Sequence, residues 1–431
     1  MQTVLQGISN RAKGYKEHRF GGLYSLLNEA NLKWAFGNLN KAAAPGVDNV
    51  TYKEYEKNLD ANIKELTERL KRKGYKAKLI RRKYIPKGNT GKMRPLGIPA
   101  LEDKIVQYCV AKILEAIYEA DFSDFSYGYR PNIGARDAVW ELGCQIQYGG
   151  FKWVVEADIK SYFDNINYDW MVKMLKLRVD DGALIKLIVK WLKAGIMEDA
   201  NTVIYPKTGT PQGGIVSPVL ANIYLHYVLD LWFEKVVRKL CRRKVMMMRY
   251  ADDFVCLFQD REEAEKFYRV LPKRLGKFGL EVSAEKTNII PFSSLEITGN
   301  NAFEFLGFEF RWGKDKNGRP KLKRRTSRKK LRNAIKNFTI WIKMNRHKRL
   351  KELLSILKQK YQGYWNYYGV HDNGRSVWEY YEITKRIFFK WMNRRSQKRS
   401  FNWKEFEKIL DKLPKPRITE KPPRRRLAFV T

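Results

Sequence analysis

The sequence predicts an α+β fold, on three observations. Two almost wholly apolar runs, Val245–Tyr250 and Phe254–Phe258, have strand-favouring residue types and are joined through an Ala-Asp-Asp turn. Ile105, Cys109, Ile113 and Ile117 recur at four-residue steps across Asp103–Tyr118, the spacing of an amphipathic helix. Further on, Leu331, Ile335, Phe338 and Ile342 keep helical spacing, as do Leu350, Leu354, Leu357, Tyr361, Trp365 and Tyr368, and Val377–Trp391 supplies a third helix. Three helices in one stretch predict a small bundle.

The remaining elements follow in chain order. The first hundred residues read as helical and basic, ending in "RRKYIPKGNTGKMRPLGIP", where GNTG marks a turn between two short extended segments. Trp153–Asp158 reads as a strand with Asp158 at its end. In "TPQGGIVSPVLANIYL" the paired glycines allow close backbone approach, and Ser217 with Pro218 suits the N-cap and first position of an apolar helix. Tyr361, Tyr364, Trp365 and Tyr368 share a helical face, so core packing is the better reading for them than base stacking. The proline-rich, basic end "LPKPRITEKPPRRRLAFVT" reads as a tail, mobile or laid over the surface.

Composition narrows the function. The 431 residues are 44% hydrophobic, as in a globular protein with ample core, yet the formal net charge is +39. Solubility of a small domain needs only about 2 to 8 charges, so a polyanionic partner, nucleic acid, is indicated. Cys109, Cys144, Cys241 and Cys256 lie far apart and read as reduced core residues of a cytosolic protein. With histidine only at 18, 226, 347 and 371, a zinc site is not expected. The N-terminus lacks the apolar core of a signal peptide, and no run of about 18 apolar residues would span a membrane.

Asp252 and Asp253 sit between apolar strands, where ionised carboxylates are tolerated when paired or bound to metal. Asp is also good turn chemistry, so the flanking strands carry this inference. Asp158 is the best third carboxylate, with Glu156 the competing ligand, better suited to a structural role in mid-strand. Two Mg²⁺ ions about 4 Å apart, held by such oxygens, suit phosphoryl transfer, with no histidine needed.

Taken in order, these pieces carry a resemblance. "ADIKSYFDNI", "TPQGGIVSPVLANIYL" and the YADD hairpin look like core motifs of reverse transcriptases. "IPKGNTGKMRPLGIP", "SYGYRPN", "GLEVSAEKTNI" and "FEFLGFEF" stand in the order seen in reverse transcriptase/maturase proteins of group II introns, over roughly residues 35 to 370. The resemblance implies a right-hand polymerase. It would divide into an N-terminal extension and fingers (1–135), palm (136–168), fingers (169–216), palm (217–312), a thumb or maturase bundle (313–395) and a basic tail (396–431).

The same resemblance implies roles. Asp158, Asp252 and Asp253 would hold two Mg²⁺, with Mn²⁺ a possible substitute, and Lys286 would be a candidate proton donor to departing pyrophosphate. Lys87 and Arg94 would close over the triphosphate, with Ile159 and Gln212 at the nucleotide. Phe163 would collide with a ribose 2′-OH and so select DNA synthesis. Lys321, Lys323, Arg324, Arg325 and Arg328, in "KLKRRTSRKKLR", are the candidates for nucleic-acid backbone contacts.

The expected activity is RNA-directed DNA polymerisation in a bacterial cytoplasm, on an RNA template and a DNA primer with dNTPs. A group II intron RNA is the expected further partner, bound to assist splicing. Two alternatives stand beside it: a reverse transcriptase of a bacterial defence or diversity-generating system, and an RNA-binding maturase with little polymerase activity. No cysteine follows Cys256, so the HNH nuclease of many group II intron proteins is not expected.

Overall fold

Apolar runs with no polar alternation become strands buried on both faces, and this decides the architecture. The structure, a computed structural model, describes residues 1–86, 93–198, 202–297, 301–395 and 400–421. Its first strands are β1 (Ile80–Pro86), β2 (Met93–Ile98), β3 (Trp153–Asp158), β4 (Ile196–Met197) and β5 (Val203–Ile204). They are followed by β6 (Val245–Tyr250), β7 (Asp253–Phe258), β8 (Asn288–Pro291), β9 (Ala302–Phe305), β10 (Phe308–Lys314) and β11 (Pro320–Thr326). These form three sheets, ordered β2-β1-β4-β5, β6-β7-β3-β8 and β11-β10-β9.

The β6-β7-β3-β8 sheet is antiparallel throughout and sits between two cores. Val155, Ala157, Met247, Phe254 and Cys256 face the larger core, which also holds the helix Leu101–Tyr118. Val154, Met248, Val255 and Leu257 face a second core with Phe303, Phe308, Phe310 and Trp312 of the β9-β10-β11 sheet. Both cores are built of apolar side chains, and the sheet's aspartates, Asp158 and Asp253, stand at strand ends.

The helix expected over Asp103–Tyr118 starts at Leu101 and keeps one half-exposed side at Tyr108, Lys112 and Glu115. Asp103, Lys104 and Gln107 are buried along with the isoleucines, so the exposed side is narrower than on a surface helix. Asp103 is satisfied there by the Tyr75 hydroxyl and the Lys78 amide. In the C-terminal third, Arg328–Asn345, Leu350–Tyr368 and Gly374–Met392 are helices around a core that includes Phe338, Ile342, Leu357, Tyr361, Trp365 and Phe388. A fourth, short helix, Trp403–Leu410, packs Phe406 and Leu410 on the same core. The described part of the expected tail is a strap laid over this bundle.

Thr419 and Glu420 donate their amides to the Gly369 carbonyl, at 2.7 and 3.0 Å, and the Trp365 indole donates to Pro414 O at 3.2 Å. Arg136, from the helix Ala135–Gly149, donates to Asn366 O and Thr419 Oγ1, tying the bundle to the central sheet's flank. Glu420, 3% exposed at its side chain, takes a bidentate pair of bonds from Arg324 at 2.7 and 2.9 Å. Removing one partner of such a pair strands a buried charge. Glu420→Ala should therefore lower unfolding free energy by about 3 kcal/mol in urea titrations, and Glu420→Leu combined with Arg324→Met should recover most of it. A single-variant loss under about 0.5 kcal/mol would show that the strap's other bonds suffice.

Among the described residues no helix is long and apolar enough to cross a membrane.

Candidate active site

The β6–β7 hairpin closes with a two-residue loop, Ala251-Asp252, between the paired residues Tyr250 and Asp253. The residue forced to positive φ is Ala251, at 57°, and not an aspartate. A left-handed alanine costs about 1–2 kcal/mol and persists only where its surroundings leave no alternative. Arg249, entirely buried, supplies that constraint. Its guanidinium donates to both oxygens of buried Asp230 at 2.7 and 2.5 Å, to Asn222 Oδ1 at 3.2 Å, and to the Ala251 carbonyl at 3.0 Å. Asp230 ends a π-helical turn, His226–Asp230, that continues the helix Ser217–Leu225.

From the other side, "SYGYRPN" packs onto the turn. The Tyr127 amide donates to Arg249 O at 2.8 Å, and Asn222 Nδ2 donates to Gly128 O at 2.6 Å. A Cβ on Gly128 would lie 2.3 Å from the Ala251 nitrogen, so no side chain fits between them. Neither Arg249, Asp230 nor Asn222 was singled out by sequence reading. The available signal was an arginine inside an apolar strand and an aspartate inside an apolar helix, each buried and so in need of a partner.

Asp158 lies directly across the β3–β7 ladder from Asp253. On β3 it shares a face with Glu156, and all three carboxylates line one cleft of about 780 Å³ beside the β9–β10 hairpin. Burial pushes the Asp253 carboxyl up to about 7, helped by the charges of Asp252, Asp158 and Glu156. Asp252 is raised too, by burial and then by Asp158, against the opposing charges of Arg94 and Lys286. Glu156, which burial lifts to about 7, accepts the Glu304 amide at 2.8 Å; it anchors β9, the structural role expected of it.

Lys286, in the turn Ala284–Lys286, donates to Asp158 Oδ2. With that ammonium in place, no three acidic, His or Cys side chains among the described residues are grouped so as to hold a metal ion. The donor chemistry nonetheless fits a divalent cation. Buried carboxylates that raise one another's pKa are an unfinished site that positive charge would complete, and hard oxygen donors favour Mg²⁺.

The other expected residues divide. Arg94, exposed on β2, is near enough to oppose the rise in the Asp252 and Tyr129 pKa values. Phe163 is half-buried, edge-on to Tyr129 at 6.4 Å. Gln212 is half-buried, and its carbonyl accepts the Gly97 amide at 2.5 Å, docking the PQGG loop on β2. Gly213, at φ 116°, has no room for a Cβ, which would fall 2.3 Å from Gly97 O. Ser217 is the first helical residue and does not cap the helix; its hydroxyl bonds to Thr210 Oγ1 and Pro211 O and stiffens the loop. Ile159 is buried in the larger core, leaving only its backbone for a ligand. Lys87 lies outside the described residues.

Of the five basic candidates, four lie on β11. Arg324 faces inward to Glu420, while Lys321, exposed, pairs with Asp372 at 2.9 Å. Lys323 and Arg325 stand on the opposite face from Arg324, and Arg328 follows, exposed, at the helix start. Burial and then the charges of Arg311, Arg375 and Arg328 depress the Arg325 pKa, which marks a concentrated cationic surface.

An antiparallel sheet ending in paired carboxylates, flanked by a β-hairpin sheet and a basic helical bundle, is the right-hand fold of nucleic-acid polymerases. Residues 85–310, more than half of the chain, match the family model described as reverse transcriptase (RNA-dependent DNA polymerase), and the chain belongs to that family. The group II intron-encoded protein LtrA of Lactococcus lactis subsp. cremoris is 40% identical over 239 residues, covering 53% of this chain and 39% of that protein. Protein YkfC of Escherichia coli K12 is 32% identical over 328 residues, 69% of this chain and 84% of the relative. The putative COX1/OXI3 intron 1 protein of Saccharomyces cerevisiae is 37% identical over 171 residues, 40% of this chain and 20% of that one. The chain thus spans about two fifths of LtrA. A solved telomerase from Candida albicans, in complex with a fragment of telomeric RNA, aligns with TM-score 0.45 and 13% identity over 79% of this chain and 64% of its own.

The raised Asp253 carboxyl carries a linkage consequence. Its folded pKa, about 7, exceeds the unfolded value of about 4, so the folded state keeps a proton that the unfolded chain sheds between them. That contribution is full below pH 4 and lost as pH rises through 7. In EDTA, Asp253→Asn should be more stable than the parent at pH 8 by about 1–2 kcal/mol and equal to it at pH 4, read from urea midpoints. Equal stability at both pH values would refute the raised Asp253 pKa.

Proposed function

We propose that this chain is an RNA-directed DNA polymerase, extending a primer 3′-OH with dNTPs on an RNA template. The observation that carries the proposal is the cross-strand pair Asp158 and Asp253, with Asp252 at the adjoining turn, opening on a cleft beside cationic side chains. Two Mg²⁺, or Mn²⁺ in their place, would supply Lewis-acid stabilisation of the attacking and leaving oxygens when bound by Asp158, Asp252 and Asp253.

The chain's own groups account for the rest. Lys286 pairs with Asp158 and stands where a proton or charge could be delivered to departing pyrophosphate. Arg94, near Asp252 and on the strand that the PQGG loop grips, is placed to meet a triphosphate. Phe163, braced by Tyr129, would crowd a ribose 2′-OH. Lys323, Arg325 and Arg328, joined by Arg311 and Arg375, offer a face for nucleic-acid backbone. The intron-encoded relatives support a second role for that face, binding a group II intron RNA during splicing. A cytoplasmic site of action in a bacterium accompanies this reading.

Primer extension on an RNA template with Mg²⁺ should proceed with the parent chain and fall about a thousandfold or more in Asp158→Ala and Asp252→Ala. Extension that survives Asp252→Ala refutes the assignment. Phe163→Ala should keep dNTP addition while raising rNTP incorporation relative to dNTP about tenfold, in single-nucleotide competition. Unchanged discrimination would return Phe163 to a packing role.

A further inference from the structure

The segment "SYGYRPN" holds one aromatic ring out at the site against its own backbone preference. Tyr129 takes φ 56° and is 48% exposed, although a bulky residue in the left-handed region is an outlier that its surroundings must enforce. Both flanking residues supply that enforcement. Gly128 lies against the Ala251 nitrogen with no room for a Cβ, and its carbonyl accepts Asn222 Nδ2 at 2.6 Å. Arg130, 1% exposed at its side chain, pairs with Glu119 at 2.7 Å and donates to Ser123 O and Ser126 O at 2.7 and 2.6 Å.

What the ring meets is Phe163. The two centroids are 6.4 Å apart with the planes at 78°, an edge-to-face contact. The Phe163 ring also lies 5.5 Å from Tyr162, which is buried and fixed by a 2.5 Å bond from its hydroxyl to Ala221 O. The Phe163 main chain is held as well, its carbonyl accepting the Thr210 amide at 2.7 Å. A phenyl ring on a fixed backbone still turns about its side-chain torsions, so the direction it presents depends on the groups packed around it. Of its ring neighbours among the described residues, Tyr162 is adjacent in the chain, whereas Tyr129 comes from a distant segment docked on the aspartate hairpin.

We propose that Tyr129 is a positioning residue: it holds the Phe163 ring at a set place relative to the β6–β7 hairpin and thereby sharpens discrimination between deoxyribose and ribose. The inference rests on the polymerase reading and on the place given there to Phe163. Through Gly128 the segment is seated on Ala251, so the contact fixes the sugar-facing ring in the same frame as the aspartates that follow Ala251. Without the Tyr129 ring, Phe163 swings aside more easily and a ribose 2′-OH meets less resistance.

The test is single-nucleotide competition between rNTP and dNTP on an RNA template with Mg²⁺, run on the full-length chain for Tyr129→Asn, Tyr129→Phe, Phe163→Ala and the variant combining Tyr129→Asn with Phe163→Ala. Asn accepts the left-handed backbone but removes the ring, and Phe keeps the ring. An edge-to-face pair corresponds to about a two- to tenfold effect. The expected result is relative rNTP incorporation raised about two- to tenfold by Tyr129→Asn, parental in Tyr129→Phe, and changed less than about twofold when Tyr129→Asn is added to Phe163→Ala. A parental ratio in Tyr129→Asn overturns the proposal, with a lowered thermal midpoint then marking a packing role alone. An equal shift on both backgrounds overturns it too, since the ring would act without Phe163. Should Tyr129→Asn fail to fold, Tyr129→Leu carries the same comparison. Unchanged discrimination in Phe163→Ala, in a parent that extends primers, removes the residue through which Tyr129 acts and defeats this inference alone, whereas a parent that extends no primer defeats the polymerase reading and this inference with it.

Discussion

One buried ion pair sets the geometry on which the site depends. Arg249 and Asp230 are both fully removed from solvent, and the guanidinium has further acceptors in Asn222 and the Ala251 carbonyl. A buried pair contributes little net stability against an apolar substitute, but breaking it is costly, so its effect is to make one arrangement much better than its neighbours. Here that arrangement holds a left-handed alanine, a glycine with no space for a methyl group, and a helix that turns π-helical before Asp230. Three distant segments meet at one guanidinium. The aspartates at the hairpin are presented by that junction and not by turn propensity.

The central sheet adds a second constraint. Both of its faces are covered by apolar cores, and apart from the paired Arg249 its acidic groups Asp158, Asp253 and Glu156 share one cleft. Their mutual repulsion is stored in a scaffold rigid enough to keep them from separating. Around this negative edge stand cations: Lys286 in contact with Asp158, Arg94 near Asp252, and a separate cluster of arginines on β10, β11 and the adjoining helices.

How much of this could be read from sequence depended on whether a residue's environment left a periodic trace. Strands β6 and β7 did, because burial on two faces removes nearly all polar residues and leaves Arg249 and the aspartates of the turn conspicuous. The bundle helices did as well, each with one apolar stripe. The helix Leu101–Tyr118 misled, since Asp103, Lys104 and Gln107 look like a solvent face but are satisfied inside the fold. Arg324 misled for the opposite reason: in a run of basic residues it is indistinguishable from its neighbours, and only strand alternation turns it inward to Glu420. Partners separated by 19 residues, as Arg249 and Asp230 are, or by 96, as Arg324 and Glu420 are, leave no spacing signal at all.

The π-helical turn at His226–Asp230 has an evolutionary corollary. Widening the hydrogen-bond ring accommodates one residue beyond ordinary helical register, and removing it would rotate every later side chain by about 100°. Asp230 would then point away from Arg249. A one-residue deletion upstream in this helix would therefore break the pair while the arginine stays, so the spacing within this helix is set by a partner on another element.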